Sequence, residues 1–275
     1  MSFLYKYLPP ERATYLSDSL LRYSPPSALN DPYECRPGIT EELEKLAYEF
    51  LEVELSTPPE YLSTLNRNER RIEKQSYEKN LKIKLSALKN DPDIINNYFY
   101  NQAIHNLDKN LGILSLSKRW DSGLMWSHYT QAHEGFCVGF KEEHEYFRKD
   151  SLKAVIGDFI LEKVNYSNER SMVPHQRPTK KEAFKIIFSK SSDWEYEKEF
   201  RAIDMLRNAD KTIEMKPYNL ALFNVPHEAV GEIVIGLRAN NNLCESISQF
   251  SKTHSIPVYK AKVSKRSFDI DRLMV

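Results

Sequence analysis

The chain has 275 residues, with 39 Lys and Arg balanced by 39 Asp and Glu; 41% of the residues are hydrophobic and 28% charged. That supports a sizeable core and excludes the global basic field of a general nucleic-acid or anionic-membrane binder. The three cysteines, Cys35, Cys137 and Cys244, are far apart with no C-x-x-C pair, as expected of free thiols in a reducing, cytoplasmic setting. The chain opens without a leader pattern, and no apolar run approaches the ~20 residues that span a bilayer, so no membrane is expected as a partner.

In chain order, Phe3–Tyr7 reads as a first strand, ended by Pro9 and Pro10. A short helix is expected at about 10–20, with Pro10 at its first position. Leu21–Ser24 is a second short strand, stopped by Pro25 and Pro26, and Asn30-Asp31-Pro32 is a turn. From about 39 to 108 the character becomes helical and charged. Thr40 caps a helix with Glu41 and Glu42 in its first turn, and Leu43, Leu46, Ala47, Phe50 and Leu51 follow at helical spacing. Residues 60–90 hold twelve Lys, Arg and Glu and no glycine, read as a solvated helical face. Asp91-Pro92 starts a further helix with Ile94, Ile95, Tyr98 and Phe99 as its apolar stripe.

Strands return at Gly112–Ser117, Gly135–Phe140 and, as one bent strand, Val155–Tyr166. Lys180–Ser191 is expected to be a helix, Trp194–Ile203 a strand, Glu232–Gly236 a buried strand, 239–251 a helix and Pro257–Val263 a last strand. No repeat, low-complexity segment or flexible linker interrupts this order. The expectation is a single α+β domain over 1–275, with a twisted, mostly antiparallel sheet of about six to eight strands and a helical insertion at about 39–108.

Several chemistries lack their motif. The chain has no G-x-G-x-x-G, Walker or G-x-S-x-G loop, and only eight glycines. His128, His133 and Cys137 match no standard metal spacing, so no metal is expected. Two segments stand out. Residues 117–140 gather two of the three tryptophans, two histidines and Lys118-Arg119. Aromatic rings there suit a flat ligand, although Trp126 and Tyr129 are three apart and also fit one core-facing side of a helix. His133-Glu134-Gly135 fits a turn or a binding loop equally. Asn30 fits a turn and also a grip on a ribose. The second segment is Trp194-Glu195-Tyr196-Glu197-Lys198-Glu199-Phe200-Arg201. As a strand it puts Glu195, Glu197, Glu199 and Arg201 on one face, which is either a wet edge or a site.

The ordered set Leu4–Tyr7, Leu21–Glu34, Leu114–Ser117, Met125–Tyr129, His133–Phe140 and Trp194–Arg201 resembles a bacterial and phage-associated family known as a domain of unknown function, number 2971. That family is distantly similar to the ADP-ribosyltransferase superfamily. The resemblance implies a split, mostly antiparallel sheet with a cleft for NAD. It also implies a histidine or arginine on the first strand, a serine or tyrosine on a middle strand and a catalytic glutamate on a later one. Here the first strand offers Tyr5-Lys6-Tyr7, the middle strand Ser115 and Ser117, and the later strand Glu197 and Glu199.

The expected function is therefore an ADP-ribosyltransferase-like enzyme that cleaves the nicotinamide–ribose bond of NAD. It would transfer ADP-ribose to a protein or nucleic-acid acceptor, with NAD hydrolysis as a variant. Glu199 is the candidate for the ribose and its developing charge, and Glu197 assists. The candidate binding residues are Tyr7, Arg22, Asn30, Ser115, Trp126, His128, Tyr129, His133 and Arg201. Two alternatives stand beside it. One is a non-catalytic sensor or binding module of a phage-defence system. The other is a metal-dependent nuclease or phosphoryl-processing enzyme that draws a third acidic ligand from Asp31 or Asp121.

Overall fold

The computed structural model describes residues 2–91, 105–148, 159–173 and 179–275. The apolar stripe expected after Asp91 lies outside them. The chain forms two compact units. One is built from Met1–Cys35, Leu107–Arg170 and Ile187–Val275, the other from Arg36–Asn106 and Ser171–Ile186. The block expected as an insertion falls in the second unit except for its last residues.

The strands, numbered along the chain, are β1 (Phe3–Leu8), β2 (Leu20–Tyr23), β3 (Gly38–Ile39), β4 (Leu111–Ser117), β5 (Phe136–Lys141), β6 (Ile160–Lys163), β7 (Asn165–Ser167), β8 (Met172–Val173), β9 (Ser189–Ser191), β10 (Glu199–Met205), β11 (Lys211–Ile213), β12 (Leu220–Asn224), β13 (Val230–Ile235), β14 (Val258–Val263) and β15 (Ile270–Met274). Among the described residues, the first unit holds an eight-stranded sheet in the order β15-β14-β13-β5-β1-β4-β10-β6. Every neighbouring pair in it is antiparallel except β13 with β14. The sheet is mostly antiparallel, as expected. A three-stranded sheet β11-β12-β2 and the parallel pair β7-β9 complete this unit.

Alternation along the strands divides the core in two. Leu4 and Leu8 of β1 share a cluster with Leu114, Leu116, Val138, Phe140 and Ile233, over which the Asn241–His254 helix lays Leu243, Ile247 and Phe250. That helix begins at Asn240, whose side chain accepts from Leu243 N at 2.9 Å. Tyr5, Tyr7, Cys137 and Val234 point the other way and pack with Met125 and Trp126 of the Gly123–Tyr129 helix.

In the second unit, Glu41–Ser56 and Arg67–Asn90 are helices, and β3 pairs with β8 in parallel. The longer helix starts with a reciprocal cap: Asn66 accepts from Asn68 and Glu69 backbone N–H, and Glu69 accepts from Asn66 N.

Local departures from expectation have local causes. Residues 10–20 are a 3-10 turn and one helical turn that stop at Ser19, where φ is 54°. Ile160–Ser167 is two strands in different sheets, broken at the buried Val164. The helix expected over 180–191 ends at Ile187, and Ser189–Ser191 turns into β9. Trp194–Ile203 is not one strand. Ser192–Glu197 is a 3-10 turn, Lys198 adopts the left-handed region at φ 46°, and β10 begins at Glu199.

Candidate functional site: a carboxylate cluster beside a cleft

The cleft originates in the sheet itself. β1 and β5 run in register over the whole of β1, and so do β4 and β10 over the whole of β4. Between β1 and β4 only Tyr5 and Ser117 are paired. Beyond that pair the strands diverge, and their backbone groups need other partners. Lys6 Nζ donates to Ser115 O at 2.9 Å. Ser24, just after β2, exchanges two hydrogen bonds with Ile113, at 2.8 and 2.9 Å. The divergence is thus filled by one side chain and by a piece of chain from another sheet.

A cavity of about 400 Å³ lies at this divergence. Its walls carry Tyr7, Arg22, Asn30, Ser115, His128 and Tyr129, together with Glu34, Lys190, Glu197 and Glu199. The first six were singled out from sequence as binding residues. Trp126, His133 and Arg201 were also candidates, but they do not line the cavity. Trp126 is fully buried, meets Tyr7 edge to face with ring centroids 5.3 Å apart, and donates its indole N–H to Trp120 O at 2.7 Å. It is a core residue, while Tyr129 on the same helix reaches the cavity.

His133 serves a turn. Gln131, Ala132 and His133 all have positive φ, and the His133 ring stacks on Trp126 at 6.1 Å with an interplanar angle of 9°. Its carbonyl accepts from Arg238 N at 2.9 Å. Burial and then Arg238 lower its pKa. Gly135 closes the turn, because a Cβ there would lie 2.0 Å from Leu8 O.

The acidic strand is neither wet nor at an edge. β10 lies between β4 and β6, and Glu197, Glu199 and Arg201 are buried. The kink at Lys198 separates Glu195 from this group, and Glu195 stays exposed, paired with Lys198 Nζ at 3.1 Å. Two residues that the sequence reading missed complete the cluster. Lys190 Nζ lies 3.0 Å from Glu34 Oε1, 2.6 Å from Glu197 Oε2 and 3.1 Å from Glu199 Oε2. Arg201 donates from Nε to Glu199 Oε1 at 3.0 Å and pairs through its terminal nitrogens with Glu34, Glu199 Oε2 and Ile187 O. Tyr129 donates its phenol to Glu197 Oε1 at 2.6 Å. All six carboxylate oxygens therefore have partners, which is the condition for holding five charges out of water.

The supports come from backbone. β7 and β9 pair Tyr166 with Lys190, and Glu199 N donates to the Tyr166 phenol at 2.7 Å. Ser117 Oγ holds Glu197 O at 2.6 Å.

Three carboxylates share two cations, and the burden is unequal. Burial raises Glu34, and Arg201 and Lys190 offset only part of that. Burial also acts on Glu199, but there Arg201 and Lys190 prevail and hold it down at about 2. Burial opposes the charge on Lys190, and the three glutamates still raise its pKa. Burial lowers Lys6 to about 8 despite nearby Glu199. Burial, then Arg12, lowers Arg22.

The Lys190 ammonium fills the place where a cation between the three carboxylates would sit. Asp31 and Asp121 are elsewhere: Asp31 accepts from Tyr33 N at 2.9 Å, and Asp121 pairs with Arg119 at 2.8 Å. Among the described residues no group of three His, Cys, Asp or Glu side chains is placed to hold a metal ion. None of the described helices is long and apolar enough to cross a membrane.

Residues 125–202 match the model of a family described as "Protein of unknown function (DUF2971)". The matched segment carries Tyr129, Lys190, Glu197, Glu199 and Arg201, and so most of the cluster. Glu34, Lys6 and Arg22 lie before it. No curated protein and no solved structure matches the chain.

Lys190 and Glu34 left a weak signal in the sequence. Lys190 fell within the helix expected over 180–191 and Glu34 at the end of the segment Leu21–Glu34, and neither was singled out for chemistry.

Proposed function

We propose that the cleft binds NAD or a closely related nucleotide and cleaves its nicotinamide–ribose bond, passing ADP-ribose to water or to a macromolecular acceptor. The observation that carries this reading is the convergence of Glu197 and Glu199 with Arg22, Ser115, His128 and Tyr129 on one cavity, where β1 and β4 part. A split, mostly antiparallel sheet with a cleft and a glutamate on a later strand is the arrangement implied by a likeness to ADP-ribosyltransferases.

The chemistry follows from the charges. The bond from ribose C1′ to the nicotinamide nitrogen breaks with its electron pair on the nitrogen, and positive charge develops on the ribose. Glu199, ionised at neutral pH, offers fixed negative charge to that state. Glu197, oriented by Tyr129, accepts the proton of the incoming hydroxyl. Arg22 supplies positive charge for the diphosphate.

One observation favours a second reading, a nucleotide-sensing module without catalysis: every oxygen of Glu197 and Glu199 is already engaged by Lys190, Arg201 or Tyr129. Incubation of the pure protein with NAD, followed by mass spectrometry for nicotinamide, separates the two. The enzyme reading expects release that falls by about a hundredfold or more in Glu199→Gln, with NAD affinity on calorimetry little changed. Binding without release leaves the sensing module. Absence of both removes the NAD reading.

A further inference from the structure

The second unit presents two helical surfaces that complement each other, and both face solvent. On the Glu41–Ser56 helix, Leu46, Phe50 and Val53 fall at i, i+4 and i+7 and so form one stripe. They are 50%, 60% and 67% exposed. Glu42 and Glu49 border the stripe and are exposed too. On the Arg67–Asn90 helix, Ile72 and Ile83 share a face and are 62% and 59% exposed. Lys79 lies between them, and Arg71 and Lys82 lie alongside, all exposed.

The charges differ by helix. The first has six glutamates and one lysine, a net −5, and the second has eight Lys and Arg against three Glu, a net +5. Among the described residues, no ion pair joins the two helices; Lys74–Glu78 is internal to the second. The turn between them is braced. Arg70 donates to Ser63 O and Leu65 O, and Tyr77 donates to Thr57 O at 2.8 Å. The two helices are thus braced at their turn while they leave apolar side chains in water, as a surface for a partner would.

We propose that this surface pairs with a second copy of the same chain. The acidic, apolar stripe of one copy would lie against the basic, apolar stripe of the other, and the reverse. Each chain owns both halves of a complementary pair, and among the described residues no ion pair joins them internally. A two-fold contact satisfies both halves at once, and charge sets the orientation.

The test is sedimentation of the full chain at low and high salt, with far-UV circular dichroism to confirm helix content. Wild type should form a dimer that loosens with salt. Phe50→Asp, and separately the pair Lys79→Glu with Lys82→Glu, should weaken it by about tenfold or more. Adding Glu42→Lys and Glu49→Lys to the latter pair restores opposite charge across the contact, and the dimer should return. A wild type that stays monomeric up to about 100 μM overturns the proposal. So does a dimer indifferent to these changes, or a monomer whose stripe instead takes up anionic vesicles.

Discussion

Lys190 Nζ lies 2.6 Å from Glu197 Oε2 with both side chains buried, and the same ammonium reaches Glu34 and Glu199. One cation thus holds three carboxylates together. Lys190→Met keeps the volume and removes the charge, leaving Arg201 alone among them. Loss of one partner from a buried ionic group costs about 3–5 kcal/mol. Thermal unfolding should show a large drop in midpoint, partly recovered when Glu197→Gln is added, since the two effects share one network. A midpoint within error of wild type would show that the cluster is open to water.

The two most different carboxylates predict a pH profile. Glu199 has a folded pKa of about 2, below its unfolded value. Its contribution is present above the unfolded pKa and is lost as pH falls from about 4.3 towards 2. Glu34 is raised. Its contribution is present below the ordinary carboxylate value and is lost as pH rises through its folded value. Glu34→Gln should remove that second loss, so the variant gains on wild type as pH rises from about 4.3 through the raised folded value of Glu34. Urea titrations at several pH values measure this difference directly.

Tyr129→Phe removes the donor to Glu197 Oε1 and leaves one buried oxygen unpaired. The expected loss is about 1–3 kcal/mol in urea unfolding, with the fold unchanged. If Glu197 takes the acceptor's proton, nicotinamide release should fall while NAD affinity holds. An equal fall in affinity would place Tyr129 on the ligand instead.

Gly135→Ala sets a methyl against Leu8 O, which a Cβ would meet at 2.0 Å. Backbone has to move at the end of β1, where the cleft begins. A loss of about 1–3 kcal/mol is expected, with weaker ligand binding by calorimetry as the second readout. Wild-type stability would mean that the turn accommodates a Cβ by shifting as a unit.

Much of the site was legible before the fold. Glu197 and Glu199 stood out because carboxylates two apart repel unless something holds them, Asn30, His128 and Tyr129 were drawn from their residue type and neighbours, and Tyr7, Arg22 and Ser115 came from the family resemblance. All eight line one cavity. Trp126 and His133 misled because aromatic and imidazole rings suit a core or a turn as well as a ligand. Arg201, a candidate for binding, instead pairs with Glu34 and Glu199 and has zero exposure, so it does not reach the cavity.

The strands at β1, β2, β4, β5, β13 and β14, the helical character of 41–90 and the concentration of chemistry in 117–140 and 194–201 were set by periodicity, proline punctuation and residue type, which are local properties; β11, β12 and β15, which follows the strand expected to be last, were not read from the sequence. Whether the acidic segment faced water was not local. Its burial depends on Lys190 and Glu34, which come from β9 and from the loop after β2, and on β6 covering the outer side of β10. The kink at Lys198 also escaped a period-two reading, because alternation of charge looks alike in a strand and in a turn followed by a strand. Only the assembled sheet decided that three glutamates reduce to two in the cluster, joined by a third from far away in the chain.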